Sequence, residues 1–370
     1  MKVIIDFNND IEREEYEKFV SGHENGSFTQ SLKWADVKEG WGHEAVAVKD
    51  GNGNIKGTAL ILIKKLPFIG RTFFYCPRGP VYTFGDTETL KELLNAIRDL
   101  AAEYRACQFK CDPFISENDE ASIAEMKAAG FTYKNISEDR LIQSKYNYKL
   151  NFNGRTKDDV FAGFHKKWRY NIRVAERHGV KCRVYGREAL DDFCELVRET
   201  GERDGFCVRD KSYFEAFLDN LGDNAKLYMT YCDGTPLSGA VYAKYGKVAS
   251  YVYGASTVHM RKVMPNYLMQ WTMISDSIDA GCDVYDFQGI PHYYDENHSN
   301  YGVYRFKSGF GGEVAGYAGE FKMIYDRKAS HLVETAICLR KLFLKAAVLF
   351  SLDSRKEINE KPLTFPQKLV

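Results

Sequence analysis

The chain has no surplus of charge of either sign: 51 lysines and arginines meet 51 aspartates and glutamates, for a formal net charge of zero. That excludes a global basic field for nucleic acid and leaves a local patch as the route to any polyanion. No uncharged apolar run reaches the about 18 residues that cross a bilayer. The nine cysteines are odd in number and scattered. Their closest pair, Cys107 and Cys111 in "CQFKC", has neither zinc-knuckle nor redox CxxC spacing. The eight histidines form no HExxH and no Cys/His array, so no metal site is expected. The opening "MKVIIDFNND" turns acidic after five residues, unlike a signal peptide. These absences point to free thiols in a reducing cytosol and to a soluble, cytoplasmic protein.

What is present suffices for two ordinary domains: 370 residues, 44% hydrophobic and 28% charged. "HEAVAVKD" predicts a strand, "GNGN" a turn, "IKGTALILIKKL" a long buried strand and "RTFFYC" another. "TETLKELLNAIRDLAAEYRA" has helical apolar spacing, with Thr87 or Thr89 as its cap, and "CQFKCDP" reads as a strand ending at Pro113. The order then returns. "AKLYMTYC", "PLSGAVYAKY" and "VASYVYGAS" predict strands, "PNYLMQWTMISDSIDAG" a helix and "CDVYDFQGI" a strand. Gly57 falls opposite Gly239 and Asp112 opposite Asp286, in nearly constant register.

Two related halves are the economical reading: an α/β chain of mixed sheets with helices on their faces, in the strand order of the acetyltransferase (GNAT) fold. The first domain is expected over 1–147 and again over about 318–350, because "EVAGYAGEFKMIYD" reads as a strand returning to it. The second domain is expected over 148–317, with 351–370 as a tail. Ligands gather at the carboxyl ends of strands in such sheets, so Asp112, Asp286 and a 302–313 loop are expected beside a cleft between the lobes.

A GNAT enzyme cradles coenzyme A pyrophosphate on the amides of a Gly-rich turn. This chain has no glycine between Gly254 and Gly281, and Pro77 and Pro80 remove two donors from the corresponding first-half turn. Neither half offers a convincing nest. No Ser-His-Asp or Cys-His constellation stands out either, which favours direct transfer over a covalent enzyme intermediate.

Four segments carry candidate chemistry, each with a structural alternative. In "FHKKWRYNIRVAERHGVKCR", Lys166, Arg169, Arg173 and Arg177 share one helical face, and Lys167 adds charge nearby. This face suits a nucleic-acid phosphate backbone, or is merely solvated. In "RDGFCVRDKSYFEAF", Arg209 and Tyr213 could grip a phosphate. Alternatively, Arg209 pairs with Asp204 or Asp210 and Tyr213 is core. Lys38 stands between Trp34 and Trp41, as suits a sugar or nucleobase joined to phosphate, or it is a solvent lysine beside core tryptophans. "GVYRFKSGFGGE" sets Phe306 and Lys307 before Gly309, Gly311 and Gly312, glycines that let a backbone approach something closely. If a substrate amine attacks an activated ester, Lys307 offers charge to the oxyanion, and Asp112 accepts the proton or holds the amine. Alternatively, Lys307 is a surface cation over Phe306 and Asp112 a turn residue before Pro113.

Read in order, "FTQSLKWADVKEGW", "YCPRGPV", "KCDP", "KKWRYNIRVAERHGV", "GERDGFCVRDKSYF", "MPNYLMQW", "YDFQGI" and "YRFKSGFGGE" resemble the FemXAB family over nearly the whole chain. These are tRNA-dependent aminoacyltransferases that build the peptide branch of peptidoglycan precursors. The resemblance implies twin GNAT-like domains facing a common cleft, and no cofactor, because aminoacyl-tRNA is the co-substrate. It implies an acceptor amine on the stem peptide of UDP-MurNAc-pentapeptide or of its lipid-linked form, lipid II. By the same resemblance Lys38, Arg209, Tyr213 and Tyr253 meet the nucleotide-sugar or phosphate portion, with Tyr251 competing with Tyr253. Phe306 and Lys307 meet the acceptor peptide and the tRNA end. Asp112 lies near the acceptor amine, with substrate-assisted proton transfer as the alternative. Residues 187–225 have room only for short helices, so the chain looks like the type without a coiled-coil arm. The amphipathic stretch 331–352 either rests on a membrane surface or packs on the first domain. An acyl-coenzyme A N-acyltransferase and a non-catalytic module for nucleotide-sugars or cell-wall precursors are the rival readings.

Overall fold

A computed structural model describes residues 2–337 and 339. The first lobe contains β1 (Lys2–Ile4), α1 (Asp10–Gly22), α2 (Leu32–Val37), β2 (Gly42–Lys49), β3 (Ile55–Leu66), β4 (Arg71–Cys76), β5 (Val81–Tyr82), α3 (Thr87–Glu103), β6 (Ala106–Cys111), α4 (Glu120–Ala128) and β7 (Thr132–Tyr133). The second contains β8 (Tyr146–Asn151), α5 (Lys157–Ala162), α6 (Lys166–Arg177), β9 (Lys181–Tyr185), α7 (Leu190–Asp204), α8 (Lys211–Leu221), β10 (Ala225–Cys232), β11 (Thr235–Tyr245), β12 (Val248–Ser256), α9 (Pro265–Asp279), β13 (Val284–Gly289), α10 (Tyr301–Ser308) and β14 (Glu313–Gly316). The strand β15 (Phe321–Ile324) follows.

Each lobe is built round one mixed sheet. The first runs β1-β2-β3-β4-β6-β15-β7, with β5 on β3; the second runs β14-β8-β13-β12-β11-β10-β9. In each, three antiparallel strands lead through a crossover helix, α3 or α9, to a parallel partner, β6 or β13. This is the repeated order expected from the sequence, and both sheets bury continuous apolar runs because helices cover their faces.

The structure differs from expectation in four places. Residues 313–326 are not one strand: β14 completes the second sheet and β15 enters the first, between β6 and β7. The 302–313 segment is mostly the helix α10 rather than a loop. Asp86 caps α3, its carboxylate accepting the Thr89 amide at 3.0 Å, where a threonine was expected. Gly57 and Gly239 do not do the same work: a Cβ on Gly57 would sit 2.6 Å from Thr89 of α3, and one on Gly239 2.6 Å from Phe193 of α7. The first admits the helix after its hairpin and the second the helix before it. Between 187 and 225 the chain holds the short helices α7 and α8, flanked by single 3-10 turns. Of the stretch 331–352, residues 331–337 are helical, and most of the rest, with the tail 351–370, lies outside the described residues. Among the described residues no helix is long and apolar enough to cross a membrane.

The lobes share one core. Phe28 and Trp34 of the first lobe meet Phe217 of α8, with ring centroids 5.3 Å apart for Phe28–Trp34, 5.8 Å for Trp34–Phe217 and 6.2 Å for Phe28–Phe217, all edge-on. Edge-to-face packing suits the ring quadrupoles and adds to area burial. Glu17 of α1 accepts the Tyr245 hydroxyl of β11 at 2.6 Å while also accepting Ser31 and Leu32. The turn after β11 presses so closely on α1 that a Cβ on Gly246 would come within 1.9 Å of the Ser21 carbonyl. Phe217 is fully buried. Phe217→Ala is therefore expected to cost about 3–5 kcal/mol, within a single denaturant transition for both lobes. Resolution of the wild-type curve into two lobe transitions would disprove the shared core.

Candidate functional site

A cleft of about 450 Å³ lies between the lobes, lined from both. At one end Lys38 and Arg209 converge on one ring. Lys38 caps the C-terminus of α2, and Arg209 stands just before α8, whose N-cap is Asp210. The Lys38 ammonium lies 4.9 Å from the Trp34 ring centre and 5.8 Å from that of Tyr213; the Arg209 guanidinium lies 4.8 Å from Tyr213. Neither cation makes an ion pair among the described residues: Asp204 is held by Arg203, and Asp210 caps α8. Burial, reinforced by the Arg209 charge, lowers the Lys38 pKa to about 8. Two cations held together without a counter-ion form a receptor for an anion.

Tyr213 itself is core, and its hydroxyl shares a 2.9 Å hydrogen bond with Tyr253, which lines the cleft. The choice between Tyr251 and Tyr253 turns on a β-bulge. Tyr253 pairs with Val241 and Tyr251 with Tyr242, so Val252 is the extra residue. The bulge sends Tyr253 to the shared core and Tyr251 to the second lobe's own core, beside Lys307.

At the other end stand Arg78 and Lys149. Both lie over Phe114 and Tyr317, at 5.0 Å from each ring for Arg78 and at 5.1 and 5.5 Å for Lys149. Asp286 and Gln288 line the cleft beside them.

The two expected carboxylates play matching parts. Asp112 is 1% exposed; one oxygen accepts the Arg78 amide at 2.7 Å and the other the Tyr75 hydroxyl at 2.7 Å. Asp286 accepts the Gln288 amide at 2.6 Å and the Asn147 side chain. Arg78 and Gln288 both have positive φ, 53° and 61°. Each carboxylate thus clamps a left-handed residue that lines the cleft. Asp112 lies behind that lining, through Tyr75 and Arg78, and burial raises its pKa to about 6 against the pull of Arg78. Asp286 reaches the cleft itself.

Lys307 is buried, not a surface cation over Phe306. Its ammonium donates to the carbonyls of Phe287 at 2.6 Å and Gly289 at 2.7 Å, gripping the backbone on either side of Gln288. Burial lowers its pKa to about 7, opposed by the Asp286 charge. Phe306 is half-buried against Tyr267 and Phe310.

A family model matches residues 11–235 and 230–336, and its description is the FemAB family. The chain belongs to that family. A curated relative, the lipid II:glycine glycyltransferase of Staphylococcus epidermidis, is 28% identical over 393 residues, covering 88% of this chain and 94% of the relative. The crystal structure of FemX superposes with a TM-score of 0.83 at 27% identity, covering 90% of this chain and all of that one. A tandem GNAT protein from the clavulanic acid biosynthesis pathway superposes at 0.54 with 12% identity, covering 88% of this chain and 98% of that one, a likeness of fold alone.

In this FemAB-family chain the basic face of α6 lies outside the cleft. Lys166, Lys167, Arg173 and Arg177 are exposed, with Arg173 over Phe161 and Arg177 over Tyr170. Arg169 is half-buried and donates to the Ala162 carbonyl. The helix is tied to the Lys307 segment by Trp168, whose indole donates to the Phe306 carbonyl at 2.8 Å. Here two of the glycines have their reason: a Cβ on Gly309 would lie 2.2 Å from the Trp168 ring, and one on Gly312 2.3 Å from the Lys149 carbonyl. What the backbone approaches closely is the protein itself.

Sequence reading missed Arg78, Lys149 and Gln288, although "YCPRGPV", "SKYNYKLNF" and "YDFQGI" contain them. Lys307 yields a test of its burial. Because its folded pKa is depressed, the unfolded chain holds the extra proton between about pH 7 and 10.5. Wild-type stability should therefore rise through that window by up to about 1.4 kcal/mol per pH unit relative to Lys307→Met, measured by urea denaturation at stepped pH. A difference independent of pH would show that the amine is solvated.

Proposed function

We propose that the chain transfers an aminoacyl group from aminoacyl-tRNA to an amine on the stem peptide of a peptidoglycan precursor, in the cytoplasm and with no further cofactor. The single observation that carries this reading is the pair of uncompensated cations, Lys38 and Arg209, held on Tyr213 at one end of a cleft whose other end carries Arg78, Lys149 and Asp286. The phosphate of UDP-MurNAc-pentapeptide or lipid II fits the first pair. A carboxylate of the stem peptide fits the second, and Asp286 is the acid close enough to hold the acceptor amine. Asp112 serves that amine indirectly, by fixing Arg78. The lipid II acceptor named for the staphylococcal relative supports the same assignment.

In the reaction the neutral amine attacks the ester carbon of the charged tRNA. The tetrahedral intermediate collapses with expulsion of the 3′-terminal hydroxyl, and the proton lost by nitrogen passes to the leaving oxygen. Lys307 holds the β13 turn in place from behind the cleft lining, and in its protonated form a third N–H is left for the developing oxyanion. Phe306 packs beside it, at the tRNA end. The outer face of α6, with Lys166, Lys167, Arg169, Arg173 and Arg177, receives the tRNA backbone.

Coenzyme A fits less well. At the start of α9 the amides of Val263, Met264 and Tyr267 are bonded to chain carbonyls, and Pro265 has none.

The test is reconstituted transfer from a panel of charged tRNAs to both acceptors. RNase treatment should abolish transfer. Arg209→Ala should raise the acceptor KM about ten- to hundredfold, the worth of a charge-assisted contact. Lys307→Met should lower kcat far more than KM. RNase-resistant transfer from acetyl-coenzyme A, or acceptor binding with no turnover on any tRNA, would remove the proposal.

A further inference from the structure

The hairpin that joins β3 to β4 ends in an apolar tip. Phe68 is 100% exposed and Ile69 beside it 36%. Just below, Leu66 packs with Cys107, Ala329, Val333 and Ile337, so the tip is braced against the helical residues 327–337. That helix turns Leu332 outward, 55% exposed. Lys65 on the hairpin and Arg327 and Lys328 on the helix are exposed, and none of the three makes an ion pair among the described residues. The two carboxylates of these segments are already compensated: Asp326 by Arg71, and Glu334 by Lys110 and Lys322. The surface is therefore apolar at its tip and net positive around it, on two segments packed against each other.

We propose that this face rests on an anionic lipid bilayer. Phe68 and Ile69 enter the boundary between headgroups and acyl chains, where their apolar surface leaves water. Lys65, Arg327 and Lys328 meet the lipid phosphates. The position suits the site. β3 lines the cleft through Leu62, and Trp41, another lining residue, carries the Lys64 ammonium over its ring at 5.4 Å. From Leu62 to Phe68 is roughly 20 Å of extended chain, so a cleft substrate and a bilayer beneath the tip lie close together. The surface stands independently of the reaction; its use in presenting a lipid-linked acceptor rests on the transfer reading above.

The experiment is co-sedimentation of the full chain with vesicles of phosphatidylcholine alone and with added phosphatidylglycerol. Wild type should bind the anionic vesicles and release with salt. Phe68→Ala with Ile69→Ala should weaken that binding by about tenfold. Lys65→Glu with Arg327→Glu and Lys328→Glu should abolish the anionic preference. Both variants should keep wild-type transfer to water-soluble UDP-MurNAc-pentapeptide and lose transfer to vesicle-embedded lipid II. Unchanged vesicle binding in both variants overturns the proposal, as does concentration-dependent self-association that disappears with Phe68, which would assign the tip to a second copy. Vesicle binding that follows the variants while no protein transfers anything would sink the reaction and leave the surface intact.

Discussion

Phe217 is held edge-on by Phe28 and Trp34, and through that contact helices α2 and α8 from different lobes become one body. The positions of Lys38 and Arg209 at one end of the cleft follow from it. Lys38 closes α2 and Arg209 precedes α8, so packing of uncharged rings fixes the distance between two like charges. Left alone the pair is unfavourable: burial first, and the neighbouring Arg209 charge second, depress the Lys38 pKa. The shared core supplies the free energy that keeps them together, and an anion between them recovers it. Placement of charge by apolar packing is a general way to prepare a site before its ligand arrives.

The opposite wall is prepared differently. Arg78 and Gln288 occupy left-handed backbone, which costs a side-chain-bearing residue roughly 1–3 kcal/mol. Each is caught by a buried carboxylate on its amide, Asp112 or Asp286, and Lys307 grips both sides of Gln288. The two lobes, related by their strand order, thus use the same device at corresponding places. Asp112 stays behind the wall while Asp286 reaches the lining of the cleft, so the two matching carboxylates stand at different depths from the ligand space.

How much of this was legible in the sequence depends on the range of the interaction. Strand alternation and helical spacing are local, and they revealed the repeated order of both lobes. Lys38 and Arg209 were visible because charged and aromatic residues stand together in the chain. The function of Gly309 was not, because the ring it makes room for, Trp168, is remote in sequence. Tyr251 and Tyr253 could not be separated, since a bulge reverses the ordinary expectation that residues two apart share a face. Arg78 and Gln288 carry no mark of a left-handed backbone, a conformation that sequence announces only when glycine or asparagine occupies it. The split of 313–326 between two sheets is likewise a tertiary fact.

The shared core also limits how the enzyme can move. Swinging the lobes apart would expose Phe28, Trp34 and Phe217 together, at about 2 kcal/mol for each side chain, and would tear Tyr245 from Glu17. The two halves therefore behave as a fixed slot and not as jaws. In a fixed slot a ligand enters and leaves through the open rims, not by separation of the walls.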